Sequence, residues 1–258
     1  MSAGFKPGVA RPARLYMLMG SHPANAGRLM LEAKGMDYKI VSLDKQAGLH
    51  DLRLRAAGFR RGTVPALKIG GRKVEGTREI ARALDEIQPD PPLLPADADA
   101  RRAVEEAEAW GHDILQPVPR RIVRASLVAN AYARREFLGY MGLPPILAPA
   151  MLPVLKRMAN AVDATPARAQ ADLAGLRALV DHVDGLLAAG VLGGSPLTAA
   201  DFQIAPSLRF LLTMEDVRPL VDGGPAAAFA RAVSPEYMDP LPVGIVPAGW
   251  VPMAPVAP

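Results

Sequence analysis

Apolar positions in the first third of the chain switch between two periods. Residues 14–19 (RLYMLM) form a short apolar run that fits a buried strand. Ala26, Leu29, Met30 and Ala33 then recur at helical spacing, and Gly35 supplies a stop. Residues 38–42 (YKIVS) alternate and predict a second strand, and 49–57 predict a weaker helix. Residues 64–69 and 72–74 read as two short strands around Gly70-Gly71, a hairpin signal because primed turns need positive φ. Thr77 can cap a further helix whose apolar stripe is Ile80, Ala81, Leu84 and Ile87. The order is βαβ followed by ββα, and the first unit predicts a right-handed parallel crossover.

Strand signals stop after residues 89–95 (PDPPLLP), which read as a stiff linker. Residues 97–126 are rich in Ala, Glu and Arg and predict helix, with Pro117 and Pro119 expected to kink or split it. Residues 169–189 are amphipathic, with Leu173, Leu176, Leu179, Val180, Val183 and Leu187 on one side. Thr198-Ala199-Ala200-Asp201 has the form of a capping box with Asp in the Glu position, opening a helix that carries Phe202, Ile204, Leu208 and Leu211. Residues 226–233 predict a last helix. The pattern implies a leader (1–12), an α/β domain (13–89), a linker (90–99), an all-helical domain (100–233) and a proline-rich tail with little regular structure (234–258).

Composition narrows the chemistry. The chain has 258 residues, half of them hydrophobic, enough for two cores, but only 5% are aromatic, so those cores rest on Ala, Leu, Val, Ile and Met. With no cysteine, disulfides, thiolate metal sites, Cys nucleophiles and Cys-x-x-Cys redox chemistry are excluded. The net charge of +4 is mild, and the pairs Arg60-Arg61, Arg101-Arg102, Arg120-Arg121 and Arg134-Arg135 are scattered. They read as solvated helix faces rather than a nucleic-acid footprint. His22, His50, His112 and His182 show no metal-ligand spacing, so no metal is expected. No phosphate loop and no Gly-x-Ser-x-Gly elbow is present. The leader lacks an apolar signal region, and the most apolar stretch, 143–155, is too short and too proline-broken to span a bilayer. A cytoplasmic location with no membrane partner is the expectation.

Four segments, in order and at their separations, carry a resemblance. They are Leu15-Tyr16 followed by Ser21-His22-Pro23, the run from Arg28 through Gly35 to Tyr38, the segment Gly62-Thr63-Val64-Pro65-Ala66-Leu67, and Leu197-Thr198-Ala199-Ala200-Asp201-Phe202. Over roughly 13–233 the chain resembles the cytosolic glutathione transferases, serine-type and zeta- or theta-like. The resemblance implies a thioredoxin-like α/β N-terminal domain plus an all-α C-terminal domain. It also implies glutathione as co-substrate, a small-molecule electrophile as partner, and a homodimer.

Site residues follow from the same resemblance. Ser21, where a strand gives way to a helix, would activate the glutathione thiol, since helix N-termini favour anions; otherwise it only caps the helix. Asn25 is a rival for that role. His22 would bind a carboxylate or face solvent, solvent being the expectation. Thr63, Val64 and Pro65 would hold the cysteinyl part along a cis Val-Pro peptide. Gly76-Thr77 stands where the family usually has Glu-Ser or Gln-Ser. Thr77 keeps a hydroxyl at a helix start, Gly76 supplies no side chain, and Glu75 would point elsewhere. Trp110, Asp113, Pro117, Arg121 and Tyr132 are candidate walls for the second substrate, although Trp110 and Tyr132 could equally be packing. The long stretch 129–163 would cover the cleft. The tail, with Tyr237, Met238 and Trp250, is expected to dangle, folding back over the site being the alternative.

Overall fold

The computed structural model describes residues 12–44 and 49–252. Apart from Pro12, the leader read from the sequence lies outside the described residues. The α/β part runs β1 (Ala13–Met17), α1 (His22–Ala33), β2 (Tyr38–Ser42), α2 (His50–Ala56), β3 (Ala66–Ile69), β4 (Arg72–Glu75) and α3 (Thr77–Ile87). The four strands form one sheet in the order β2-β1-β3-β4. β1 pairs parallel with β2 and antiparallel with β3, and β3 pairs antiparallel with β4. β1 and β3 are the inner strands, which is why their residues read as near-continuous apolar runs.

Two local signals resolve differently from their sequence reading. Apolar periodicity marks the first helix only from Ala26, whereas the helix begins at His22, the start that the Ser21-His22-Pro23 resemblance implied, with Ser21 as its cap and Pro23 tolerated in the first turn. Thr77 is not the cap of α3. Gly76 holds that position, and Thr77 is the first helical residue, 2% exposed.

The helical part comprises α4 (Ala98–Trp110), a π turn (Gly111–Leu115), α5 (Pro117–Ala129), α6 (Ala131–Tyr140), a 3-10 turn (Pro145–Leu147), α7 (Leu152–Asn160), α8 (Pro166–Ala188), α9 (Ala199–Thr213), α10 (Arg218–Val221) and α11 (Pro225–Val233). The helix is split ahead of Pro117, as its prolines led one to expect, by a π turn rather than by a loop. The π turn, closed by Gln116 N–H on Gly111 O at 2.8 Å, precedes it, and helical backbone continues through Gln116. Gly111 is needed where α4 meets α9, since a Cβ there would lie 2.7 Å from Ile204 Cγ1.

α9 is the axis of the molecule. Its Thr198–Asp201 capping box is formed, with Asp201 accepting from Thr198 N–H at 2.7 Å and Thr198 O–H at 2.8 Å. Almost every residue of α9 is buried, packed by α1, α4 and α11. One apolar core therefore runs from Leu15 in β1 and Leu31 in α1 to Phe202 and Leu208 in α9. Lys34 anchors the segment between the two parts. Its buried ammonium donates to Asp85 at 2.5 Å and to the carbonyls of Gln88 and Pro91 at 2.6 and 2.5 Å.

The described part of the tail forms no helix or strand, yet it folds back. Leu241 N–H donates to Thr213 O at 2.7 Å, and Glu215 N–H donates to Leu241 O at 3.1 Å. Asp216 accepts from the amides of Gly244 and Val246, each at 2.9 Å. Asn130 donates to the carbonyls of Gly244 and Ile245, and Ile245 and Val246 are buried. Among the described residues, no helix is long and apolar enough to cross a membrane.

Candidate functional site

The strand directions bring four loops to one end of the sheet. Tyr16 near the end of β1 lies opposite Ala66 at the start of β3, and Ala66 lies opposite Glu75 at the end of β4. Ser42 closes β2 beside Met17. Residues 18–21, 43–44, 63–65 and 76–77 therefore share that end, the usual place for ligands on α/β sheets. A shallow cavity of about 280 Å³ lies at the other end, against Arg14, Lys68 and the Gly70-Gly71 turn, away from this convergence.

Ser21 accepts weakly from Ala24 N–H, at 3.4 Å. Pro23 has no N–H, so among the first three helical residues only the His22 amide is left without a backbone or side-chain partner. The helix start thus offers one amide, one hydroxyl and its dipole to an anion. Tyr237 O–H reaches in from the tail to donate to Gly20 O at 2.7 Å, and Met238 packs over Gly20. Burial holds the Tyr237 phenol protonated well above its ordinary range, and the neighbouring Tyr140 acts in the same direction.

His22 is not in solvent. It is 2% exposed, stacked on Phe210, with Nδ1 2.9 Å from Ser207 Oγ on α9. Burial, with the charges of Arg120 and Arg124, pushes its pKa well below 6.5, so the ring is neutral. Asn25, the rival to Ser21, is buried and already bonded. It donates to Ser234 Oγ at 2.8 Å and accepts from Arg28.

The Val64–Pro65 peptide is cis. Val64 lies outside the sheet ladder, and its backbone N–H and C=O make no backbone hydrogen bond among the described residues. Pro65 is close to α1: a Cβ on Gly27 would lie 3.4 Å from Pro65 Cβ. Gly27 is six residues from Ser21, about 9 Å along the helix. Thr63 is exposed.

Glu75 does point elsewhere. Its carboxylate gathers the amides of Arg60, Arg61, Gly62 and Thr63 at 2.7–3.2 Å and so shapes the loop before Val64. Burial alone would raise its pKa, but these four donors outweigh it and hold the pKa down. Gly76 has φ +102 and ψ +150, a region essentially closed to other residues. A Cβ there would meet Glu79 Oε2 at 2.3 Å. Thr77 O–H has no partner among the described residues, and no side chain caps α3.

The expected wall residues separate. Trp110 packs on His182 of α8, ring centroids 4.2 Å apart, inside the helical core. Arg121 is clamped by Asp172 through two bonds of 2.6 and 2.7 Å, also on the α8 side. Asp113 is exposed, Pro117 is half-buried at the first position of α5, and Tyr132 is partly exposed beside Gly244 of the tail. Sequence reasoning missed Arg120 and Arg124, which act on His22 from α5. Their spacing of four residues was the available signal. Among the described residues, no group of three His, Asp or Glu side chains could hold a metal.

Residues 15–92 match the family model of the glutathione S-transferase N-terminal domain. The chain has the glutathione transferase fold. Among curated proteins it is similar to glutathione S-transferases Z2 and Z1 of Arabidopsis thaliana, with 31% and 35% identity over 108 and 105 residues. Each alignment covers 40% of this chain and 47% of the relative, so the match spans about half the length of those transferases. Among solved structures, poplar glutathione transferase F1 superposes with a TM-score of 0.57 at 17% identity, covering 86% of this chain and 92% of that one. The transferase fold thus extends over both halves, while the sequence match to the family model lies in the first.

Proposed function

We propose that this chain activates the thiol of glutathione for attack on a small electrophile, by conjugation or by thiol-assisted isomerisation. The observation that carries the reading is the pairing, at one end of the sheet, of an unbonded Val64 backbone with a helix start whose free donors are the His22 amide and the Ser21 hydroxyl. The cysteinyl backbone of glutathione would bond Val64 as an added strand does. Its sulfur would then lie near Ser21, with the glutamyl carboxylate at Thr77 and the free amides of α3. The thiol proton leaves to solvent as the thiolate is stabilised. The sulfur lone pair then forms a C–S bond to the electrophilic carbon; in conjugation by displacement the broken bond's pair departs with the leaving group, and in isomerisation the acceptor's π pair moves onto its electron-withdrawing end and then returns to expel the thiolate. Rate would come from thiolate stabilisation and proximity. A cytoplasmic homodimer belongs to this reading.

Gly76 favours a second reading, a transferase-like fold that binds a hydrophobic small molecule or a protein without thiol chemistry. No side chain at 76 can meet the glutamyl ammonium, and the Glu79 carboxylate next to that place is paired with Arg61 at 2.7 Å.

Calorimetric titration with glutathione and a dinitrohalobenzene conjugation assay separate the two. The first reading expects heat and turnover. It also expects Ser21→Ala to lower kcat/KM about tenfold or more, ~1.4 kcal/mol of transition-state stabilisation. Neither heat nor turnover would leave the second reading standing.

A further inference from the structure

Four cations stand in one row across the sheet. Arg14 of β1 lies opposite Lys39 of β2 and Lys68 of β3, and Lys68 lies opposite Lys73 of β4. Residues directly opposite in a ladder share a face, and like charges placed so repel. With strands about 4.8 Å apart, the row spans about 14 Å. The next row on that face, toward the converging loops, is Val41, Tyr16, Ala66 and Glu75. Leu54 of α2 and Phe59 pack on Tyr16 and Ala66, so that row is roofed. In the cationic row Arg14, Lys39 and Lys73 are exposed and Lys68 is half-buried.

No acid answers the row. Among the described residues Lys34 has ion-pair and hydrogen-bond partners, whereas none of the four side chains in the row has either. Residues 1–11, 45–48 and 253–258 contain no Asp or Glu. Glu75, two residues along β4 from Lys73, is committed to the amides of residues 60–63. Glu86 is paired with Arg72, and Asp37, two residues before Lys39, forms an ion pair with none of the four.

The row also borders a hollow. Arg14, Lys68 and Lys73, with Arg72 and the Gly70-Gly71 turn, line the shallow cavity of about 280 Å³ at this end of the sheet. Lys68 Nζ stands 5.6 Å from the ring centres of both Tyr16 and Phe59. Lys73 Nζ occupies the place that a Cβ on Gly58 would take. Gly58 and Phe59 are adjacent in sequence, so the two ammoniums converge on one short segment. Gly70 and Gly71 both have positive φ, and neither amide has a partner among the described residues. Mutually repelling cations and free amides around a small hollow suit a compact ligand with several negative oxygens.

We propose that this hollow binds a polyphosphate group, a chain or cluster of two or more phosphates, held by Arg14, Lys68 and Lys73, with Lys39 extending the row. Ammoniums serve phosphate as point charges, and the arginine adds a planar fork. The hollow lies at the end of the sheet away from Ser21 and Val64, so binding requires neither thiol nor electrophile. A free polyphosphate and the headgroup of a phosphoinositide present the same chemistry.

The test uses the full chain at fixed ionic strength, since salt screens exposed charges. Tripolyphosphate, pyrophosphate and orthophosphate are titrated by calorimetry. Tripolyphosphate is expected to bind about tenfold or more tightly than orthophosphate. Arg14→Gln/Lys73→Gln is expected to weaken tripolyphosphate about tenfold or more. Lys156→Gln/Arg157→Gln removes the same charge from the exposed side of α7 and should change it by less than about twofold. Equal binding of tripolyphosphate and orthophosphate by the unaltered protein, a comparison that needs no variant, would overturn the proposal. So would equal losses in the two double variants, which would mark attraction by net charge alone. Flotation with phosphatidylcholine vesicles bearing phosphatidylinositol bisphosphate, or phosphatidylserine at matched charge, separates the sources. Capture by the bisphosphate vesicles alone, lost in Arg14→Gln/Lys73→Gln, upholds the site with a lipid headgroup as ligand. Tripolyphosphate binding without capture upholds it with a free ligand. A single-stranded oligonucleotide that binds more tightly than tripolyphosphate, and is lost in the same variant, would overturn it in favour of a nucleic-acid surface.

Discussion

The seam between α3 and α4 and one face of α5 both hold half-buried arginines, and they treat them in opposite ways. At the seam, Glu108 is fully buried and takes Arg82 at 2.5 Å and Arg78 at 3.3 Å, with Glu105 standing 3.9 Å from Arg82. Every charge there has an opposite charge in reach. On α5, Arg120 and Arg124 have only neutral acceptors; burial lowers the pKa of both, and Arg124 and Arg121 add repulsion at Arg120. The seam ties the α/β half to the helical half. The α5 pair bonds only to Gln116 of its own helix and to Met158 of α7, within the helical half. A buried charge met by protein is a fastener, while one left unmet is either a defect or a contact reserved for something that arrives.

Substitutions can break that comparison, starting with the largest effect. Glu108→Gln strands two arginines at a buried site and is expected to lower unfolding free energy by about 3–5 kcal/mol in urea denaturation. Lys34→Met tests a second fastener. It leaves Asp85 and two carbonyls without their buried donor, and about 3 kcal/mol should be lost by the same measurement. Arg120→Met and Arg124→Met keep the aliphatic stem and remove an unanswered charge. Stability should then stay within about 1 kcal/mol of the parent or rise. A loss as large as that of Glu108→Gln would erase the distinction between the two regions.

The smallest expected effect is a pH slope. The folded pKa of His22 lies well below 6.5, by burial first and by Arg120 and Arg124 second. As pH falls below 6.5, the unfolded chain takes up the proton before the folded one does. The His22 contribution to stability is therefore whole above pH 6.5 and is lost as pH falls from there through the folded pKa. Midpoints of unfolding measured across that window should fall less steeply in His22→Gln than in the parent. They should also fall less steeply in Arg120→Met/Arg124→Met, since part of the depression comes from those charges. An unchanged slope in both would show that His22 does not sense the pair.

Much of the frame was legible in the sequence because it rests on local chemistry. β2 occupies the alternating stretch 38–42, the Thr198–Asp201 box opens α9, and Gly35 ends α1 with φ +60. The start of α1 was less legible, because Ser21 and Pro23 act through backbone geometry that apolar periodicity does not register. Pro117 read as a break because a proline costs a helical bond. That cost is accommodated by a π turn whose place is set by the close approach of Gly111 to α9.

For the candidate site, the positions on the sheet side were legible in the sequence. Ser21 and Thr77 lie at helix starts and Val64-Pro65 at the entry to β3, and strand order alone carries them to one end of the sheet. The helical wall was decided only by tertiary structure. Periodicity says which side of a helix is apolar, not which neighbour a polar side chain meets. Arg121, expected at the cleft, is instead bound to Asp172 of α8; Trp110, for which packing was the equal alternative, packs on His182; and Arg120, read as part of a solvated pair, is half-buried, as is Arg124. The tail likewise has no period to read. Its path over Gly20 is held by Asp216, Asn130 and Tyr237, bonds between residues far apart in the chain.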